Sequence, residues 1–271
     1  MKQLQEFPDL NGTSSLELIR IDRAALTAVP ENLCSVAPKL RSLNLQRNSI
    51  SEMPDLNRCR QLRLIDLSHN NISSLPAATF SSLSFLQDLL LQGNRVHTIH
   101  NNTFNGLEKL QVLQLEDNLI TSIHQDAFLP LVSLEDINLG NNSFPELPAQ
   151  GLEHVVSIKV HNNRHLRVFP GPESFPMVRA LTLSYAYHCC PFLRLEDHTE
   201  APQIIEEVIY SGDGFKGLDP TIWNVSSVWP ETANTDLVDT TSLDLGEATA
   251  ATHTLPLLPR HQVLCNPEPG Q

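Results

Sequence analysis

Positive charge and aromatic rings are both scarce in this sequence. Only 18 Lys and Arg stand against 31 Asp and Glu, a formal net charge of −13. That balance argues against nucleic acid or anionic lipid as a partner and favours a basic protein, drawn in by long-range attraction. Solubility alone would also be served by it. Aromatic residues make up 6% of a chain that is 41% apolar, so its core must be aliphatic. No run of about 18 apolar residues occurs, so no direct membrane insertion is expected. Met1-Lys2-Gln3 leads straight into Leu4-Gln-Glu-Phe7-Pro-Asp-Leu10 without a signal-peptide h-region. The expectation is an intracellular chain or a piece of a longer secreted precursor. Catalytic grammar is missing too: there is no His-Glu-x-x-His, no Gly-x-Ser-x-Gly and no Gly-rich phosphate loop. The eleven His are scattered, and the adjacent Glu116 and Asp117 have no cleft to make acid–base work of them. No enzyme, metal or cofactor is expected.

What is present is a repeat. Leu86-Gln-Asp-Leu89-Leu-Leu91-Gln-Gly-Asn94-Arg-Val96 returns as Leu110-Gln-Val-Leu113-Gln-Leu115-Glu-Asp-Asn118-Leu-Ile120 and again as Leu134-Glu-Asp-Ile137-Asn-Leu139-Gly-Asn-Asn142-Ser-Phe144. Two earlier copies begin at Leu40 and Leu62; weaker ones begin at Leu16, Val155 and Val178, with Ala24 and Ala186 where Asn is expected. Phe7-Pro-Asp-Leu10 mirrors Met53-Pro-Asp-Leu56, as the tail of a further copy would. A 24-residue period with this spacing is the leucine-rich repeat. One such unit cannot bury its own apolar edge, so neighbours stack into a solenoid. The fold class is therefore an α/β solenoid, a horseshoe of about eight repeats over 1–188 with a parallel concave sheet. A mostly disordered hinge should follow over 189–271.

Each Leu-x-Leu should form a short strand paired in parallel with the next, about 4.8 Å away. Asn48, Asn70, Asn94, Asn118, Asn142 and Asn163 should form a ladder that satisfies backbone groups where the chain leaves the strand. Phe80, Phe104 and Phe128 recur every 24 residues and should stack beneath the convex side. Residues between the inward leucines should project from the concave face, the surface where this architecture binds proteins. They are Asn44, Gln46, Asp66, Ser68, Leu90, Gln92, Gln114, Glu116, Asn138, Gly140, Lys159 and His161. A merely solvated sheet is the competing reading.

Beyond Pro191 the repeat stops. Residues 196–260 are acidic and rich in Thr, Ser and Pro, too poor in apolar side chains to offset the entropy of ordering. A short helix is expected near Gln203–Tyr210. Five cysteines leave one over. Cys34 and Cys59 occupy nearly equivalent positions of adjacent repeats, about 5 Å apart after one solenoid step, within disulfide range. Vicinal Cys189 and Cys190 rarely bond to each other; Cys265 can take one, and the other lacks a partner in this chain. His188 beside them raises a metal site, but no second ligand pair has metal spacing. Sequons occur at Asn11, Asn71, Asn101, Asn141 and Asn224, of which Asn11, Asn101 and Asn224 fall in expected loops. Disulfides and sequons together indicate an extracellular protein.

Ser184-Tyr185-Ala186-Tyr187-His188-Cys189-Cys190-Pro191-Phe192, at the end of the repeats, resembles the hinge junction of leucine-rich-repeat-containing G-protein-coupled receptors. The Tyr-Ala-Tyr-x-Cys-Cys form is similar to the R-spondin-receptor branch and its invertebrate relatives. Leu4 to Thr13 and Cys265-Asn-Pro-Glu-Pro-Gly270 support the resemblance, which covers nearly all of the chain except the acidic stretch. It departs in one place: Leu193-Arg194-Leu195 follows where vertebrate members often carry a further Cys. The resemblance implies the later repeats and hinge of an ectodomain on the outer face of the plasma membrane. It also implies that Cys189 and Cys190 pair with Cys265 and with a cysteine past Gln271. The implied partners are a secreted protein, R-spondin-like or a cystine-knot heterodimer such as bursicon, and the receptor's own transmembrane domain. R-spondin docks mainly on earlier repeats in that family, which lowers the expectation for residues 44–161. A secreted or matrix repeat protein with an adhesive role is the alternative.

Overall fold

The computed structural model describes residues 5–193 and 262–265. The acidic stretch 196–260, the helix expected over Gln203–Tyr210, the Asn224 sequon and the side chains of Cys190 and Cys265 lie outside the described residues. The chain divides into one unit of Met1–Tyr210 with Arg260–Gln271 and a second of Ser211–Pro259, the latter wholly outside them.

The first unit is a parallel-sheet solenoid. Its strands are β1 (Leu18–Arg20), β2 (Ser42–Asn44), β3 (Leu64–Asp66), β4 (Asp88–Leu90), β5 (Thr98–Ile99), β6 (Val112–Gln114), β7 (Ser122–Ile123), β8 (Asp136–Asn138), β9 (Ser157–Lys159), β10 (Ala180–Leu183) and β11 (Gln262–Cys265). Nine of these form one sheet in the order β1-β2-β3-β4-β6-β8-β9-β10-β11, and β5 pairs with β7 in a second, smaller one. Each three-residue strand of the main sheet is centred on the Leu or Ile that opens the Leu-x-Leu core. The register therefore aligns Ile19, Leu43, Ile65, Leu89, Leu113, Ile137, Ile158 and Leu181 in one row. All eight are buried. Because side chains alternate along a strand, that burial turns the flanking residues to the opposite, open face.

The segments returning from one strand to the next are built of turns. The only α-helices among the described residues are α1 (Leu33–Val36) and α2 (Ala186–Leu193), so helix contributes little to the α/β pattern. Phe80, Phe104 and Phe128 are fully buried there and stacked, with centroids 6.4 and 6.2 Å apart. Cys34 and Cys59 are joined by a disulfide, their Cα atoms 4.8 Å apart. Asn11 and Asn57 each donate a backbone amide to the side chain two residues earlier, Asp9 and Asp55, at 3.0 Å. The mirrored Pro-Asp-Leu segments thus make the same turn.

The asparagine ladder supplies the polar wiring. Asn118 Oδ1 accepts the Val96 amide at 3.0 Å, and its Nδ2 donates to Leu91 O and Leu115 O at 3.0 and 3.1 Å. Asn48, Asn70, Asn94 and Asn142 repeat this pattern toward their own preceding coils. At Ala186 the series changes hands: buried Ser184 accepts the Asn163 amide through Oγ at 2.9 Å and donates to Val160 O. The residue before each ladder asparagine turns through the left-handed region, including Arg47, His69, Asp117, Asn141 and Asn162, φ 53–56°. Only Gly93, at φ 69°, holds that conformation without a Cβ penalty.

Candidate functional site

The open face carries three rows of side chains. The middle row runs Arg20, Asn44, Asp66, Leu90, Gln114, Asn138, Lys159 and Thr182, and the row two residues on includes Gln46, Ser68, Gln92, Glu116, Gly140 and His161. The structure adds a first row that sequence reasoning missed: Leu18, Ser42, Leu64, Asp88, Val112, Asp136, Ser157 and Ala180. These residues precede the first inward leucine, where the repeat has no consensus to signal them.

Much of the polarity on this face is already satisfied from within. Asp66 accepts the Ser68 amide and hydroxyl at 3.1 and 2.6 Å, and Asn44 Nδ2 at 2.9 Å. Asp66, Ser68 and Asn138 are correspondingly buried and offer a visitor little surface. Asn138 Nδ2 donates to Glu116 Oε2 at 2.8 Å, while His161 Nε2 meets Glu116 Oε1 at 3.1 Å. Asp136 receives Gln114 Nε2 at 3.0 Å and faces Lys159 Nζ at 3.8 Å. At the N-terminal end Asp22 is held below the usual carboxylate range, first by its hydrogen bond from Arg20 Nε at 3.1 Å.

The centre of the sheet differs. The Asp88 carboxyl has no hydrogen-bond or ion-pair partner among the described residues, and desolvation alone holds it above the ordinary value. Leu64 and Val112 are its register neighbours on β3 and β6, and Leu90 lies two residues along its own strand. All three are half-buried, leaving an apolar surround open to solvent on one side. Gln92 Oε1, farther along this coil, is shielded and also lacks a hydrogen-bond partner.

The remaining candidates lie away from this centre. His69 lies against Gly93, where a Cβ would fall 2.4 Å from its Nδ1. Asn11, Asn71 and Asn101 are exposed, whereas Asn141 accepts Asn162 Nδ2 at 2.8 Å. Beyond the face, Cys189 is buried and disulfide-bonded. His188 is buried beside it against Phe169, Tyr185 and Tyr187. Its ring is kept below its ordinary pKa by desolvation, partly opposed by the contact between its Nε2 and Arg167 O at 3.3 Å. No group of three or more His, Cys, Asp or Glu suited to a metal ion occurs among the described residues, and no helix among them is long and apolar enough to cross a membrane.

Residues 38–96 and 85–144 match the family described as leucine rich repeat. The chain is 41% identical over 223 residues to leucine-rich repeat-containing G-protein coupled receptor 6 of Danio rerio, covering 82% of this chain and 21% of that protein. It is 43% identical over 189 residues to the Homo sapiens protein of the same name, covering 70% and 17%. The chain thus spans about a fifth of the length of these relatives. Among solved structures, the Toll–Spatzle complex of Drosophila aligns with 28% identity and a TM-score of 0.56, covering 64% of this chain and 24% of that one.

Proposed function

Starting from a leucine-rich-repeat protein related over most of its length to the leucine-rich-repeat-containing G-protein-coupled receptors, we propose that this chain is part of a receptor's extracellular region. Its open sheet face receives a secreted protein, R-spondin-like or a cystine-knot heterodimer, and a transmembrane domain elsewhere in the receptor carries the signal onward. Residues 1–188 supply the docking surface, and 189–271 serve as the hinge toward the membrane, with Cys189, Cys190 and Cys265 in its disulfides. Exposed Asn11, Asn71 and Asn101 carry glycans on the extracellular side.

The observation that carries this reading is the identity to receptors across the repeats, 41% over 223 residues in the zebrafish relative. Two further features support it. The face keeps half-buried apolar side chains at its centre, where a purely solvated sheet would carry polar ones. The structurally similar Toll chain is found in complex with Spatzle.

The test is direct binding. The purified chain is immobilised and exposed separately to an R-spondin-like protein and to a bursicon-like heterodimer. Saturable binding of one of them at about micromolar concentration or tighter is expected. Absence of binding by both, with adhesion to matrix collagen instead, would replace the receptor reading with the structural one.

A further inference from the structure

We propose that Asp88 is a recognition hot spot for one basic side chain of the protein ligand, an arginine in preference to a lysine, seated between Leu64, Leu90 and Val112. This deepens the open-face reading above and rests on it.

The argument begins with what the other carboxylates of the face do. Asp22 has Arg20 and Arg23. Asp66 has Ser68 and Asn44. Glu116 has Asn138 and His161, and Asp136 has Gln114 and Lys159. Asp88 alone has no such partner among the described residues, although it is half-buried near the middle of the sheet. A half-desolvated carboxylate without a donor is costly to the free protein, and a donor brought from outside removes that cost.

The surround selects the kind of donor. Strand neighbours lie about 4.8 Å apart and residues two apart along a strand about 6.6 Å. Leu64, Leu90 and Val112 therefore flank the carboxylate at side-chain distance, forming an apolar rim around one anionic point. A guanidinium fits that geometry better than an ammonium: it is weakly hydrated, its flat faces lie against hydrocarbon, and its edge can bond both carboxylate oxygens. Interfaces commonly concentrate their energy in such an anchor, ringed by residues that exclude water.

The test does not need the natural ligand. A random cyclic-peptide phage library is selected on the immobilised chain, and the enriched peptides are measured against the wild type, Asp88→Asn and Asp136→Asn. Asp88→Asn keeps the shape of the side chain and removes only its charge, and Asp136→Asn removes an already-paired charge of the same row. Enrichment of peptides carrying Arg beside an apolar residue is expected, with affinity falling about tenfold or more on Asp88→Asn and little on Asp136→Asn. Enriched peptides without a basic residue, equal affinity for Asp88→Asn and wild type, or no enrichment at all would each overturn the proposal. If the two protein ligands tested above fail while these peptides succeed, only the ligand class is wrong.

Discussion

His161 Nε2 lies 3.1 Å from Glu116 Oε1 although 45 residues separate them. The ring reaches across the intervening coil because that coil has Gly140 at the crossing point. A Cβ there would fall 2.3 Å from His161 Cε1. Gly140→Ala should therefore displace the ring and cost about 1–2 kcal/mol, the scale of overpacking. His161→Ala in the same chain should recover most of the loss, because it removes the clashing group. Urea unfolding of the two single variants and the double checks this; strictly additive losses would show that the ring and the glycine do not touch.

Asn118 is 5% exposed and bonded to the chain on both sides. Asn118→Ala leaves the Val96 amide buried without a partner, while Leu91 O and Leu115 O each lose one of two donors and keep Asn94 Nδ2 and Asn142 Nδ2. A loss of about 1–3 kcal/mol is expected, the cost of one orphaned buried donor. Denaturant unfolding gives the value, and a change within about 0.5 kcal/mol, as for an ordinary surface site, would remove the ladder's energetic role.

Phe104 is the middle ring of the buried stack, between Phe80 and Phe128. Phe104→Ala should cost about 3–5 kcal/mol. The exposed Phe85, which lies under Lys109 Nζ at 4.3 Å, should lose about 1 kcal/mol or less when changed to Ala. Comparable thermal shifts for both would contradict the assigned burial.

His188 gives the pH dependence. Desolvation lowers its pKa in the folded chain below the ordinary 6.5, so the unfolded chain binds the proton more readily. Its contribution to stability is complete above pH 6.5 and is lost as pH falls from there toward the folded value. His188→Gln should flatten that part of the stability curve. An unchanged slope between pH 7.5 and 5.5 would exclude the histidine as its source.

The solenoid is legible in the sequence because its period is written three times over, in the leucines, the ladder asparagines and Phe80, Phe104 and Phe128. Paired Cys34 and Cys59 follow from the same period, since equivalent positions fall one step apart. What the period does not specify stays hidden. Asp88, Leu64 and Val112 stand at a position with no consensus, so nothing marks them until the strand register aligns them. Ser184 replaces a ladder asparagine from two residues before the expected place. His161 and Glu116 meet only because Gly140 clears the way, a relation that local spacing does not reveal.

The open face as a docking surface is tested most directly by one substitution at its centre and one outside the strand. Leu90→Arg sets a cation beside Asp88 without entering the core, and Phe85→Arg adds the same charge to the segment before β4. With whichever secreted ligand binds the chain, Leu90→Arg should weaken affinity about tenfold or more and Phe85→Arg by about twofold at most. Full affinity on Leu90→Arg together with loss on Phe85→Arg would put the ligand on another surface.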